Sequence, residues 1–228
     1  MRIDYSKELV ILDDVVGGQK GISLVRQLKR EGSLSKHYLL LDIKLIRGHV
    51  AAKLKYHRKK YDLMLFVESG GTYILGIPSI MSMGEKSLAV PVSSHKNGEE
   101  FNAEKNLKKF ERYIESYSRL ALIEGDVGSG GHSIERLYGL KKEVLRINPK
   151  ASVEVIVGVA TKKAMVENMA YGRLFDIVGI IVEEFYKLSD YAIHEIETSR
   201  KFGRKVTPSQ LKLLDYFHAK RMHKVPIR

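Results

Sequence analysis

Cysteine is absent from the 228-residue chain. This excludes a disulfide framework, a cysteine-ligated zinc site and any reaction through a protein thiolate. Long apolar runs are absent too. Nowhere do about 18 uninterrupted apolar residues occur, so no membrane-spanning helix is expected. The opening stretch MRIDYSKELVILDD carries too short an apolar run for a signal peptide, and a soluble cytoplasmic protein is the expectation. His37, His49, His57, His194, His218 and His223 fall at no metal-ligand spacing, and the sequence supports no Ser-His-Asp arrangement. The identity of any metal ligand is therefore left open.

With 44% hydrophobic residues, the chain can bury an ordinary core. The expectation is one α/β domain with extensions at both ends: an N-terminal segment over 1–60, a core over 61–190 and a basic helical extension over 191–228. The formal charge is +12, and much of the excess lies in KLKYHRKKYD (53–62) and in the tail from Ser199 to Arg228. Such a charge favours anionic partners, whether nucleic acid, polyphosphate or phosphorylated metabolites, and it equally suits a solvated face that keeps the protein soluble.

Short runs rich in Val, Ile and Leu recur along the chain. Leu9 to Leu12, Tyr38 to Leu45, Leu63 to Val67, Leu88 to Val92, Leu120 to Ile123 and Val153 to Val159 read as buried strands of a parallel sheet. Amphipathic stretches separate them. Ile22, Val25 and Leu28 share one helical face, as do Leu107, Phe110, Ile114 and Tyr117, and again Ile134, Leu137, Tyr138, Val144 and Leu145. Asn148 and Pro149 end the last of these. The alternation reads as a doubly wound parallel sheet, whose ligands bind beyond the carboxyl ends of its strands.

Three glycine-bearing loops begin where an apolar run ends: LDDVVGGQKG (12–21), ESGG (68–71) and EGDVGSGGHS (124–133). Glycine lets several backbone N–H groups converge on one anion while the next helix adds its positive end, so phosphate is the natural guest. The carboxylates of Glu124 and Asp126 would repel a phosphate. They suit vicinal ribose hydroxyls or a magnesium ion instead, and a sugar phosphate satisfies both halves of the loop.

The strand LALIEGDVGSGGHS, the helix after it and the strand VEVIVGVATKK resemble the phosphoribosyl-pyrophosphate (PRPP) signature of type I phosphoribosyltransferases. YDLMLFVESGGTYILGIP is similar to that family's pyrophosphate loop. SLAVPVSSHK then follows in the family's order, with KNGEEFNAEKN in the position of its mobile loop. The resemblance covers Tyr61 to about Lys163. The chain differs from the family in splitting its two acids with Gly125 and in keeping one hydroxyl residue before Gly-Gly.

The resemblance implies a PRPP-dependent pentosyltransferase that moves the phosphoribosyl group to a nitrogenous base and releases pyrophosphate, with Mg²⁺ as cofactor and a homodimer as the assembly. Glu124 and Asp126 would be catalytic. Gly128, Ser129, Gly130, Gly131, His132 and Ser133 would hold the 5-phosphate, and Glu68, Ser69, Gly70, Gly71 and Lys96 the pyrophosphate, with His95 beside Lys96. Asp13, Asp14 and Lys20 form an alternative site, since LDDVVGGQKG carries the paired acids that the later loop splits. Two other readings stay open. One is a catalytically altered relative acting as a regulator or a weak, sequence-independent nucleic-acid binder through the basic tail. The other is a methyltransferase using DVGSGG.

Overall fold

Every residue of Tyr61–Val67 is buried, as expected of a strand covered on both faces. In the computed structural model it is the second position of a five-stranded sheet. The structure describes residues 9–12, 23, 26–27, 30, 39–67, 71–90, 101–128, 132–187 and scattered positions from 196 to 215. In chain order the described elements are β1 (Leu9–Leu12), β2 (Leu39–Leu41), α1 (Ile43–Tyr56), β3 (Tyr61–Val67), a π-helical turn (Gly71–Leu75), α2 (Pro78–Met81) and β4 (Gly84–Val90). They continue with α3 (Ala103–Leu107), a 3₁₀ turn (Lys108–Phe110), α4 (Glu111–Ser116), β5 (Arg119–Val127), α5 (His132–Ile147), β6 (Ser152–Thr161), α6 (Lys162–Ala170), β7 (Ile177–Val182) and β8 (Glu184–Lys187).

The chain forms two compact units, one of residues 1–43 with 185–228, the other of residues 44–184. The first contains a three-stranded sheet of order β2-β1-β8, with β1 and β2 parallel. The second contains the sheet β4-β3-β5-β6-β7, in which every paired neighbour is parallel. The expected α/β parallel sheet is present, but the apolar runs Leu9 to Leu12 and Tyr38 to Leu45 do not join it. They build the smaller sheet.

Several expected boundaries shift for physical reasons. The strand read from Tyr38 to Leu45 stops at Leu41, because Ile43, Ile46, Val50 and Leu54 recur at helical spacing and are all buried. The helix they form, α1, is hidden in the sequence by the charges around it, and it packs with the larger sheet rather than with the N-terminal segment expected over 1–60. The segment Lys96 to Asn106 is not one loop: Asn102 caps α3 by accepting from the Lys105 amide at 2.9 Å. The single helix expected across Leu107 to Tyr117 is broken by a 3₁₀ turn, though Leu107, Phe110 and Ile114 face the core as expected. β7 and β8 lie beyond the apolar runs read as strands. The helix face at Ile22, Val25 and Leu28 lies outside the described residues.

One face of the larger sheet is covered by α3, the 3₁₀ turn, α4 and α5, whose Leu107, Phe110, Ile114, Ile134, Leu137, Leu140 and Val144 pack on Leu63, Leu65, Leu120, Leu122, Val155 and Val157. α1 lies on the other face, and glycine lets it come close. A Cβ at Gly158 of β6 would meet the Gly125 carbonyl oxygen of β5 and Ile46 Cγ2 at 3.0 Å. A Cβ at Gly179 of β7 would meet the Gly158 carbonyl oxygen and Val50 Cγ2 at 2.7 Å. Glycines 125, 158 and 179 thus make a trough across three strands, into which the Ile46 and Val50 ridge of α1 fits.

Candidate active site

Counted within the larger sheet, the strand order is 2-1-3-4-5. From β3 the chain winds to β4 on one side, then crosses to β5 on the other. The carboxyl ends of β3 and β5 therefore flank the point where the winding reverses, the position at which sheets of this kind leave a crevice for ligands. In sequence β3 runs on into ESGG and β5 into GSGG. The two strand ends are neighbours, although about fifty residues separate them in sequence.

The close approach that joins them is made by Gly71. A Cβ at this position would meet the Ile123 carbonyl oxygen and lie 3.5 Å from the Phe66 carbonyl carbon. Only glycine lets the returning chain touch β5 one residue before Glu124. The next residues form the π-helical turn Gly71–Leu75, anchored by buried Ile74 and Leu75 and by Arg47 of α1, whose Nε donates to the Ile74 carbonyl at 2.8 Å. Single π turns are uncommon and recur at functional sites.

The acids are not in the loop. β5 extends to Val127, four residues beyond the expected end at Ile123, and Glu124 and Asp126 are ladder residues opposite Val157 and Val159 of β6. Pairing with β6 supports this extension across the intervening Gly125. Gly125 keeps the two carboxylates two residues apart on one side of the strand, and its lack of a side chain suits the trough under α1. Glu124 is 7% exposed, and its Oε1 accepts from the Gly125 amide at 2.8 Å. Asp126 is half-buried at the rim.

Gly128 follows the strand and is half-buried; His132 opens α5, a 16-residue helix. Ser133, also half-buried, accepts a hydrogen bond from Arg136 Nη2 at 3.1 Å. Arg136 does not stand out by motif. Its signal is its position, a guanidinium one turn inside a helix whose start already carries partial positive charge. Ser129, Gly130 and Gly131, Glu68, Ser69 and Gly70, His95 and Lys96, and the alternative Asp13, Asp14 and Lys20 lie outside the described residues. So does most of the tail from Ser199 to Arg228. Among the described residues no three His, Cys, Asp or Glu side chains gather as a metal site, and no helix is long and apolar enough to cross a membrane.

At the carboxyl end of β6, Thr161 caps α6 by accepting from the Ala164 amide at 3.1 Å. Lys162 pairs with Glu183 at 2.5 Å. β6 thus ends in a hydroxyl, and α6 opens with two lysines, the first of them paired with Glu183.

No family model matches this chain, and no curated protein matches it. Among solved structures it is similar to a purine phosphoribosyltransferase from Pyrococcus horikoshii, at 14% identity and a TM-score of 0.40, over 64% of this chain and 85% of that one. It is also similar to the xanthine-guanine-hypoxanthine phosphoribosyltransferase of Helicobacter pylori, at 10% and 0.42, over 86% and 99%. The orotate phosphoribosyltransferase of Francisella tularensis follows at 11% and 0.32, over 79% and 75%. Likenesses this distant do not decide a function. The fold class rests on the strand pairing of the chain itself.

Proposed function

We propose that the chain transfers a phosphoribosyl group from PRPP to a nitrogenous base, releasing pyrophosphate. The observation that carries the reading is the placement, at the β3/β5 reversal of the sheet, of a carboxylate pair on β5 beside the close approach of Gly71, at two strand ends whose sequences run on into glycines. A sugar bearing phosphate groups at both ends needs this combination of acids for its hydroxyls and backbone amides for its phosphates.

In this reading Glu124 and Asp126 orient the ribose through its hydroxyls. The amides from Gly128 to His132, with the positive end of α5, receive the 5-phosphate, and Arg136 adds a cation beside Ser133. The amides of Gly70 and Gly71 approach the leaving pyrophosphate. The donor set fits Mg²⁺: two hard carboxylate oxygens, completed by substrate phosphates and water, are how this ion is usually held. Bound by Glu124 and Asp126, such an ion would supply positive charge against the departing pyrophosphate. The chain itself contributes alignment of the base with the anomeric carbon and electrostatic stabilisation of an oxocarbenium-like state, with no protein nucleophile. A cytoplasmic homodimer belongs to the same reading, and sedimentation tests the dimer.

The experiment is differential scanning fluorimetry with PRPP and Mg²⁺, followed by assay of pyrophosphate release with a panel of purine and pyrimidine bases. Millimolar PRPP is expected to raise Tm, and absence of any shift overturns the reading. Binding that disappears in Asp13→Asn with Asp14→Asn, in a chain that stays folded, moves the site to LDDVVGGQKG. A second reading rests on Glu124, whose carboxylate accepts from the amide of the next residue, Gly125. A regulator that binds PRPP without turning it over would show the Tm shift and no pyrophosphate. The methyltransferase reading gains nothing from β6, which ends in Thr161, Lys162 and Lys163 where a ribose-binding acid would be wanted.

A further inference from the structure

The turn between α1 and β3 concentrates charge at the opposite end of the strands from the two glycine loops. Its geometry is a complete helix-ending motif. The Lys59 amide donates to the Leu54 carbonyl at 3.0 Å and the Arg58 amide to the Lys55 carbonyl at 3.1 Å, the paired bonds of a Schellman cap. The residue at the left-handed position of that cap is normally glycine, and here it is Arg58, with φ of 50°. A guanidinium is thus kept where the backbone prefers no side chain at all.

The cations around it divide into two sets. Lys53 Nζ donates to the Val178 carbonyl at 2.5 Å, and Lys59 pairs with Glu154, so both are used in fastening α1 and the turn to the sheet. Lys55, Arg58 and Lys60 are exposed and make no ion pair among the described residues. Between them stands Tyr56, 82% exposed, the most exposed large apolar side chain among the described residues. Its ring meets that of His57 edge-on at 5.1 Å. The helix dipole accounts for a cation or two in a last turn. It does not account for an arginine in a left-handed conformation or for a tyrosine held in water.

We propose that the turn from Lys55 to Lys60 binds single-stranded nucleic acid: Lys55, Arg58 and Lys60 contact consecutive phosphates, and Tyr56 offers its face to a base. A cationic track beside an exposed ring is the arrangement by which single strands are held without sequence preference. The surface is separate from the carboxyl-end loops. β3 begins directly after the turn and spans seven residues, roughly 20 Å at the rise of a strand.

The test is fluorescence anisotropy of the full chain with a labelled oligouridylate over a range of salt concentrations. Tyr56→Ala is expected to weaken binding about tenfold with no change in salt slope. Lys55→Gln with Lys60→Gln should flatten the slope by about 1.4, since each phosphate contact on a single strand contributes about 0.7. The deciding variant is Arg58→Gly. Glycine relieves the left-handed residue and should raise Tm by about 2 °C, while the loss of the guanidinium weakens binding. A merely structural or solubilising Arg58 would leave binding untouched. The proposal is overturned if the wild-type chain does not bind, or if these variants bind as it does. It is overturned equally if heparin competes as well as the oligonucleotide and Tyr56→Ala has no effect, which describes a plain ion-exchange surface. It fails as well if neutralising Arg200, Lys201, Arg204 and Lys205 abolishes the salt slope, which moves the site to the tail.

Discussion

At the amino-terminal rim of the larger sheet, polar side chains tie strand to strand. Asp62 of β3 receives Arg119 Nη2 at 2.6 Å, Arg119 Nε at 3.1 Å and the amides of Ser118 and Arg119 at 3.2 and 2.9 Å. The Tyr61 hydroxyl donates to Glu154 at 2.6 Å while Lys59 holds the other carboxylate oxygen. Asp176 accepts from the Val155 amide at 2.7 Å, and Asn148 Nδ2 donates to the carbonyls of Ile114 and Tyr117 at 2.9 and 2.8 Å. At the carboxyl rim the same strands end differently, in two carboxylates two residues apart, glycines where chains touch, and a helix start beside a guanidinium. The amino-terminal ends of the strands are tied together through these side chains, whereas the carboxyl ends group a carboxylate pair, a glycine contact and a helix start. The proposed site rests on that grouping.

Ionisation at the amino-terminal rim follows from these contacts. The Arg119 guanidinium holds the Asp62 carboxyl below its ordinary range, against a burial that would raise it. Burial would likewise raise Glu154, but the hydrogen bonds from Lys59 and Tyr61 reverse the effect and hold it low. The Tyr61 phenol is pushed up, first by burial and then by its bond to that carboxylate. These are groups fixed in one state near neutrality, as suits structural ties.

The largest expected effect joins the two rims through the sheet itself. Gly158→Val would drive a side chain into the Gly125 carbonyl and Ile46, and should destabilise the fold by about 3 kcal/mol. Calorimetry checks this, and a small change would mean that α1 does not sit in the glycine trough.

Next in size is Asp126→Asn, which should lower PRPP affinity in the presence of Mg²⁺ at least tenfold, about 1.4 kcal/mol. Its Tm without ligand should stay close to wild type, because the site is at the rim. Titration calorimetry beside thermal melts separates these terms, and a collapse of Tm would make Asp126 a structural residue like those of the opposite rim.

Asp62→Asn is the mirror experiment: a loss of about 1 to 2 kcal/mol of stability from weakened carboxylate hydrogen bonds, with PRPP binding unchanged. It also carries a pH signature. The folded pKa of Asp62 is depressed, so its contribution is present above the unfolded value near 4 and is lost as pH falls through the lower folded value. Urea melts across the acid range should show the wild-type advantage over the variant shrinking only there. The smallest effect is that of Thr161→Ala, which removes the α6 cap for about 1 kcal/mol, measurable by the same melts.

Much of this architecture is specified locally. The strand read from Leu63 to Val67, the strand read from Val153 to Val159 and the helix that ends before Asn148 and Pro149 follow from periodicity and from what proline allows. The helix at 43–56 is also legible in the spacing of Ile46, Val50 and Leu54, but a run of lysines and arginines hides it. The extension of β5 through Glu124 and Asp126 is not legible, because charged residues and a glycine read as a loop until a neighbouring strand supplies hydrogen bonds.

By itself the sequence determined the centres of the buried strands β3, β5 and β6, the end of α5 before Asn148 and Pro149, and that acids and glycines occur together, because local sterics and apolar spacing act within a few residues. The tertiary structure alone decided that the first strands form a second sheet, that the carboxyl ends of β3 and β5 become neighbours at a reversal of winding, and that Gly71 touches Ile123. It decided too that Arg58 takes a left-handed conformation beside an exposed Tyr56. Each of these depends on which strand pairs with which or on how a helix ends against the chain that follows, and pairing between distant segments is chosen by the burial of whole faces, which no short stretch of residues specifies.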